Sequence, residues 1–322
     1  MSNYQRGRVG NDAHDDVTRI RRSELSTPGH SEKMIAKAAQ SEADMVFLDL
    51  EDAVAPSAKV GARKNIIAGL NELDWGDKIR SYRINSVDTQ WCHDDIAEVV
   101  TGAGSNIDVI MVPKIKGPRE VWFVDDMLTQ LELKLGLEVG RIGIECLVEE
   151  VEAVQTVDEI ARCSPRLEAL TLGVGDLSAS AGMRLGHIGV TDGENALKYP
   201  GDIWHYARHR MIVACRAAGI DAIDGPYANF ANPGGYEKSA ATFSMMGGVG
   251  KWCIHPSQIE IANRVYAPSE AEISEAKGVI DAVREAEEQG LGAATYKGMM
   301  IDAATTRLFK VTLDRAQACG LA

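Results

Sequence analysis

The stretch MVFLDLED, residues 45–52, ends by crowding Asp49, Glu51 and Asp52 into four successive positions. Like charges packed at the end of an apolar run cost stability, so a chemical use for them is expected. Other apolar runs also finish on ionisable residues: Arg83, Lys114, Glu149, Asp176, Asp224 and His255. Packing alone does not account for this recurrence. Glu149 and Asp176 could together hold a hard divalent cation, since magnesium takes one or two protein carboxylates and fills its other positions with water and substrate oxygens. Glu51 and Asp52 could then hold waters behind that ion. The competing explanation is structural, with the acids capping helix N-termini or pairing with Lys59 and Arg63. Taken one at a time, the acids leave both explanations open. The ligand types disfavour a metal bound through Cys and His.

Three other motifs fall short. MMGGVGKW has the Gly-Lys of a phosphate loop, but Met245 replaces the first Gly and Trp252 the Ser/Thr, and it runs into a strand. His205 and His209 in HYARH have helical spacing but lack the Glu of a metalloprotease, so they read as a surface or core pair. CHDD, from Cys92 to Asp95, reads as a helix start. The glycines of GVGDLSASAG could admit a close backbone approach, although a turn would also use them.

These residues need elements to position them. Short apolar runs occur at Arg22–Ser26, Met45–Glu51, Ile79–Asn85, Asp108–Lys114, Arg141–Glu149, Leu167–Asp176, Gly219–Pro226 and Val249–Pro256. Helical stretches separate them, which implies parallel pairing. Eight such units predict a (β/α)8 TIM barrel, whose active site lies where the strands end. A doubly wound sheet competes, but no GxGxxG turn follows an early strand. Past the eighth run, Ser269 and Glu272 form a capping box, and Ile273, Ala276, Ile280 and Val283 share a helix face. A Gly-containing link, GLGAATYKGMMID, leads to a terminal helix from about Ala303. The expected organisation is a polar, mobile tail over 1–20, a barrel over 21–290, and a C-terminal helical lid or extension over 291–322.

The chain has 322 residues, 45% hydrophobic and 25% charged, enough for a substantial core. A formal charge of −13 argues against nucleic acid or an anionic membrane as partner. An anionic ligand would therefore need local Arg and Lys to override the global field. No apolar stretch has transmembrane length, and no signal peptide opens the chain. Its six cysteines stand singly, as expected of reduced thiols in a cytoplasmic protein.

In this order, RSELSTPGHSEKM, FLDLEDAVAPSAKVGAR, RIN, VPKI, LGVGDLSASAG, DGPY, GKWCIHPSQIEIANRVYAPSE and YKGMMID resemble the citrate lyase β-subunit-like family. DWGDK, SPRLEALTLG and GKWCIHP are most similar to its malyl-CoA and β-methylmalyl-CoA lyase branch. The resemblance spans about residues 22–318, and LDLEDAV together with GK…IHPSQ is its specific pair.

The resemblance implies a magnesium-dependent (β/α)8 enzyme, with manganese as an alternative ion, that makes and breaks a carbon–carbon bond beside a CoA thioester. Malyl-CoA, or β-methylmalyl-CoA, would yield glyoxylate and acetyl-CoA or propionyl-CoA by a Claisen-type reaction. By position, Glu149 and Asp176 resemble the metal ligands, and Glu149 rather than Glu145 or Glu150 ends its strand. Arg83 corresponds to the cation facing the thioester and 2-oxo acid oxygens. Asp302 corresponds to an acid that the C-terminal segment brings over a neighbouring subunit's site, which implies a homo-oligomer, a trimer or hexamer. Arg22 and Lys33 fall in the region that meets CoA, and Lys114 and His255 are expected to bind substrate or CoA. Glu51 and Asp52 complete the catalytic set.

Asn229 and Asn232, where relatives often carry Asp, and the Arg184–His187 stretch depart from the pattern and bear on substrate choice. Four alternatives stay open: a malyl-CoA thioesterase, a citramalyl-CoA lyase releasing pyruvate, a CoA-independent pyruvate aldolase, and a subunit of a multi-protein lyase.

Overall fold

A computed structural model describes residues 19–190 and 201–321, so most of the expected N-terminal tail lies outside the described residues. All eight expected strands form: β1 (Ser23–Pro28), β2 (Met45–Asp49), β3 (Ile79–Arg83), β4 (Val109–Val112), β5 (Gly143–Val148), β6 (Leu167–Leu172), β7 (Asp221–Asp224) and β8 (Gly250–Cys253). Each pairs in parallel with the next, and β8 returns to β1 through Ser23↔Lys251 and Leu25↔Cys253. That last pairing closes a barrel and excludes an open doubly wound sheet. The strands are nearly continuous in buried apolar residues because the barrel core covers one face and helices the other.

The helices are α1 (Glu32–Ala39), α2 (Lys59–Glu72), α3 (Cys92–Ala103), α4 (Pro118–Leu135), α5 (Val151–Gln155) and α6 (Val157–Ile160). They continue as α7 (Val174–Ser180), α8 (His205–Ala218), α9 (Pro233–Met245), α10 (Ile259–Val265), α11 (Glu270–Glu288) and α12 (Ala303–Ala318). Among the described residues, none is long and apolar enough to cross a membrane.

Side chains alternate across each strand, so register decides which residues enter the barrel. Met45, Phe47, Ile79, Val109, Met111, Leu147 and Trp252 form an apolar layer inside it. Trp252 meets Phe47 edge-on, with ring centroids 5.1 Å apart. Because Trp252 faces in, its neighbour Lys251 faces out, and so does Asp224, which is in register with Lys251.

The chain divides into two compact units, Met1–Asn263 and Arg264–Ala322. In the second, the capping box of Ser269 and Glu272 opens α11 as expected. The buried positions are Ile273, Ala276, Val279, Val283 and Ala286, so Val279 takes the place expected for Ile280. The Gly-containing link is a hairpin, β9 (Ala293–Tyr296) and β10 (Met299–Asp302). Lys297 (φ 46°) and Gly298 (φ 81°) form its turn, and two consecutive left-handed residues are the mark of a tight two-residue hairpin.

Candidate active site

β3 delivers Arg83 to the C-terminal mouth of the barrel, 4% exposed, with its guanidinium 5.2 Å from the ring centre of Trp252 and 5.9 Å from that of Phe47. Asp49, at the end of neighbouring β2, accepts from Arg83 Nε at 2.7 Å and Nη2 at 2.6 Å, a bidentate grip. The same carboxylate accepts from the backbone N–H groups of Glu51 (2.8 Å) and Ala53 (2.9 Å). Asp49 thus fixes both the guanidinium and the loop carrying Glu51 and Asp52. Burial works against the charge on Arg83, but Asp49, Glu51 and Glu149 outweigh it and hold its pKa above the ordinary arginine value. Burial likewise tends to raise Asp49, yet Arg83 and the two N–H groups keep it below the usual carboxylate range.

Glu51 and Asp52 meet cations, though not the expected ones. Lys114 Nζ lies 2.5 Å from Glu51, 3.1 Å from Asp52 and 4.0 Å from Asp176. Arg83 Nη1 lies 3.0 Å from the other oxygen of Glu51. Lys59 donates instead to the carbonyls of Leu50 and Glu51, and Arg63 pairs with Asp95 and Glu98. Both residues stand on α2, from which Lys59 meets the loop's carbonyls and Arg63 meets the acids of neighbouring α3. Lys114 sits in left-handed backbone (φ 52°), uncommon for a residue with a side chain. That bend lets its ammonium reach β2 while its N–H donates to Glu149 Oε1 at 2.7 Å.

Glu149 follows β5, 2% exposed, and Asp176 lies in the first turn of α7 after the adjacent β6. The other two acids near Glu149 point elsewhere. Glu145 is sealed in the barrel, accepting from Thr171, and Glu150 accepts from Ser180 on the outside. Burial first, then the repulsion of Glu51 and Asp176, push the Glu149 carboxyl up to about 8 against the pull of Arg83. Gly173 makes room for it: a Cβ there would lie 2.3 Å from Glu149 Oε2. Among the described residues, no three His, Cys, Asp or Glu side chains gather as a ready-made metal cluster. A pair of oxygen donors, one of them a buried carboxyl whose charge lacks a full partner, fits a hard ion that keeps water or substrate in its other positions. Beside the pair of Glu51 and Lys114, a cavity of about 370 Å³ opens between Pro56, Asn85, Ser86 and Trp91. That is within the size range of small-molecule sites.

Other expected residues are not gathered here. Asp224 belongs to a buried network with Arg208, Lys251 and Ser239 on the barrel's outer face, which corrects its expected place at the mouth. Arg22 stands at the N-terminal end of β1, paired with Asp44 at 2.7 Å, at the end opposite the mouth. Lys33 is exposed in the first turn of α1, on the mouth side. His255 caps a short helical turn through Ser257 and stacks on Phe230, with ring centroids 4.7 Å apart. Asn232 caps α9 by accepting from Gly235 N–H at 3.0 Å, a structural use. Asp302, in the second unit, caps α12. The sequence assigns Asp49 no role beyond its place in the acidic cluster, and the signal for its anchoring was adjacency to Arg83's strand in a barrel.

Asp49→Asn tests this anchor. One partner of a buried ion pair is then missing, so urea unfolding should show about 3 kcal/mol or more of lost stability. Steady-state turnover of the folded fraction should fall as well, because Arg83 and the acidic loop lose a common support; unchanged turnover would make Asp49 a purely structural residue.

A parallel barrel whose mouth sets an anchored guanidinium and an ammonium among clustered carboxylates is built for reactions at anionic oxygens, as a barrel lyase or aldolase requires. Residues 22–256 match the model of the HpcH/HpaI aldolase/citrate lyase family, and the chain belongs to that family. It is 39% identical over 305 residues to the L-malyl-CoA/beta-methylmalyl-CoA lyase of Rhodobacter capsulatus, covering 93% of this chain and 95% of that protein. It is 34% identical over 304 residues to the malyl-CoA/beta-methylmalyl-CoA/citramalyl-CoA lyase of Chloroflexus aurantiacus, covering 90% and 86%. Among solved structures, the protein CitE of Mycobacterium tuberculosis in complex with magnesium, acetoacetate and coenzyme A matches with a TM-score of 0.72 and 26% identity, over 92% of this chain and 97% of that one.

Proposed function

We propose that this chain is a divalent-cation-dependent carbon–carbon lyase. It reversibly cleaves malyl-CoA, or β-methylmalyl-CoA, into glyoxylate and acetyl-CoA or propionyl-CoA. The observation that carries the reading is Arg83, locked by Asp49 at a barrel mouth beside Glu51, Lys114, Asp176 and Glu149. The near full-length match to relatives named as malyl-CoA lyases supports it.

Glu149 and Asp176 are the residues that would hold the ion, magnesium in the first instance. When bound, it would supply Lewis acidity toward the aldehyde and carboxylate oxygens of the 2-oxo acid. In cleavage the hydroxyl of malyl-CoA loses its proton to water and becomes the aldehyde oxygen, the carbon–carbon bond breaks, and its electron pair stays on the acyl-CoA fragment as a thioester enolate. Arg83 faces that oxygen with a charge that guanidinium keeps at any working pH. Asp302 returns a proton to the α-carbon in cleavage and removes it in condensation. Lys114 holds Glu51 and Asp52 in place, and Lys33, exposed on the mouth side, is free to meet the acidic groups of CoA. The C-terminal unit serves as a lid over a neighbouring subunit of a homo-oligomer, excluding water that would quench the enolate.

The experiment is to incubate the purified chain with Mg²⁺ and a panel of 3-hydroxyacyl-CoA thioesters, trap carbonyl products and identify them by mass spectrometry. Glyoxylate and acetyl-CoA from malyl-CoA are expected. Malate and free CoA without glyoxylate would replace the lyase reading with a thioesterase. Pyruvate from citramalyl-CoA would extend the range to the activity in the Chloroflexus relative's name.

A further inference from the structure

We infer that Thr305 is a positioning residue for Asp302: its hydroxyl ties one carboxylate oxygen to the start of α12 and leaves the other to meet the proton in flight. The inference rests on the acid–base role proposed for Asp302. Asp302 Oδ1 accepts from Ala304 N–H at 2.9 Å, Thr305 N–H at 3.0 Å and Thr305 Oγ1 at 3.1 Å. The N–H of Asp302 points back to Thr305 Oγ1 at 3.3 Å. All the bonds that the carboxylate accepts fall on Oδ1, so Oδ2 is left without a hydrogen-bond partner among the described residues. This arrangement ties Oδ1 to the helix start and leaves Oδ2 as the open oxygen.

The residue type at 305 matters. The third helical position of a capping box usually carries Glu or Gln. A Glu there would place a second negative charge against Asp302 and favour its protonated form. Thr closes the box without charge. Its hydroxyl and the two N–H groups hold the Asp302 carboxyl below the usual range, with a smaller pull from Arg307. Among the described residues, Arg307 is the one charged group that contributes to its electrostatics. Ala293 lies opposite on β9, and the buried side chains of α11 in the cluster with Ile301 are Val279 and Val283.

Thr305→Val, Thr305→Ser and Thr305→Glu separate positioning from mere stability, with the pH profile of condensation, in which Asp302 must be ionised to take the proton, as readout. Thr305→Val should lower kcat about tenfold with little change in KM for the thioester. Its acid limb should move up by about one pH unit. Thr305→Ser should restore both. Thr305→Glu retains a full capping box, so helix content should hold while the limb moves further up. A parent-like pH profile and kcat in both Thr305→Val and Thr305→Glu would overturn the inference. Asp302→Asn, run alongside, distinguishes the two levels. If it stays active, the role of Asp302 itself falls; if it is inactive while the Thr305 variants are normal, only the positioning falls.

Discussion

Asp302→Asn should abolish turnover while leaving acyl-CoA binding almost intact. The amide keeps the shape of the side chain and can still accept from Ala304 and Thr305 through its oxygen, so α12 keeps its cap. It cannot carry a proton between the α-carbon and solvent. Positioned acid–base groups contribute about a hundredfold or more to rate, so kcat should fall at least that far, while the Kd for acetyl-CoA measured by calorimetry stays within about twofold. Unchanged cleavage would remove Asp302 from the chemistry. The same variant examines the lid. Mixed with an inactive Asp176→Asn chain and allowed to exchange subunits, it should recover part of the activity, because one interface then combines an intact mouth with an intact Asp302. No recovery on mixing would confine each lid to its own chain.

Glu149→Gln should erase the response to the divalent ion. In the folded chain, burial pushes this carboxyl from its ordinary 4.5 up to about 8. Between those two values the folded state holds more protons than the unfolded one, so stability is greatest at the acid end and declines as pH rises through the window. A divalent ion held by Glu149 would pair with the ionised form and offset that decline. The Mg²⁺-induced rise in Tm should therefore grow between about pH 6 and about pH 9 in the parent chain. In Glu149→Gln the rise should be absent at every pH, and activity should be lost with it. Asp176→Asn should weaken the response without changing its pH dependence as strongly, since Asp176 is half-exposed. A parent chain whose Tm and rate ignore both Mg²⁺ and EDTA would sink the assignment of these two acids.

The barrel was legible because each strand is a short apolar run separated by helical sequence, a pattern that needs no knowledge of long-range pairing. The candidate site was legible where ionisable residues cluster at or just past a strand end, as with Glu51, Arg83, Lys114 and Glu149. Asp224 was misplaced because its orientation depends on the register with β8, and a strand end in sequence does not reveal which way its last side chain turns. The alternative that paired the acids with Lys59 and Arg63 rested on closeness in the chain. The actual partner, Lys114, comes from two strands away and needs a left-handed backbone that no residue-type rule would assign to lysine. The hairpin at Lys297 and Gly298 escaped notice for a related reason: the usual hairpin pairs put Asn or Asp before Gly. Val279 and Ile280 are adjacent on the helix, so apolar periodicity could not choose between them.

Gly173 has backbone angles, φ −88° and ψ 75°, outside the left-handed region that favours glycine. By torsion angles alone it looks like a good place to stiffen the loop, since replacing glycine with alanine at a tolerant position narrows the unfolded ensemble. The obstacle is the neighbouring carboxylate, which already fills the volume that a methyl group would need. Attempts to rigidify this enzyme from backbone geometry would thus choose a position where the first added carbon evicts the acid proposed to hold the ion.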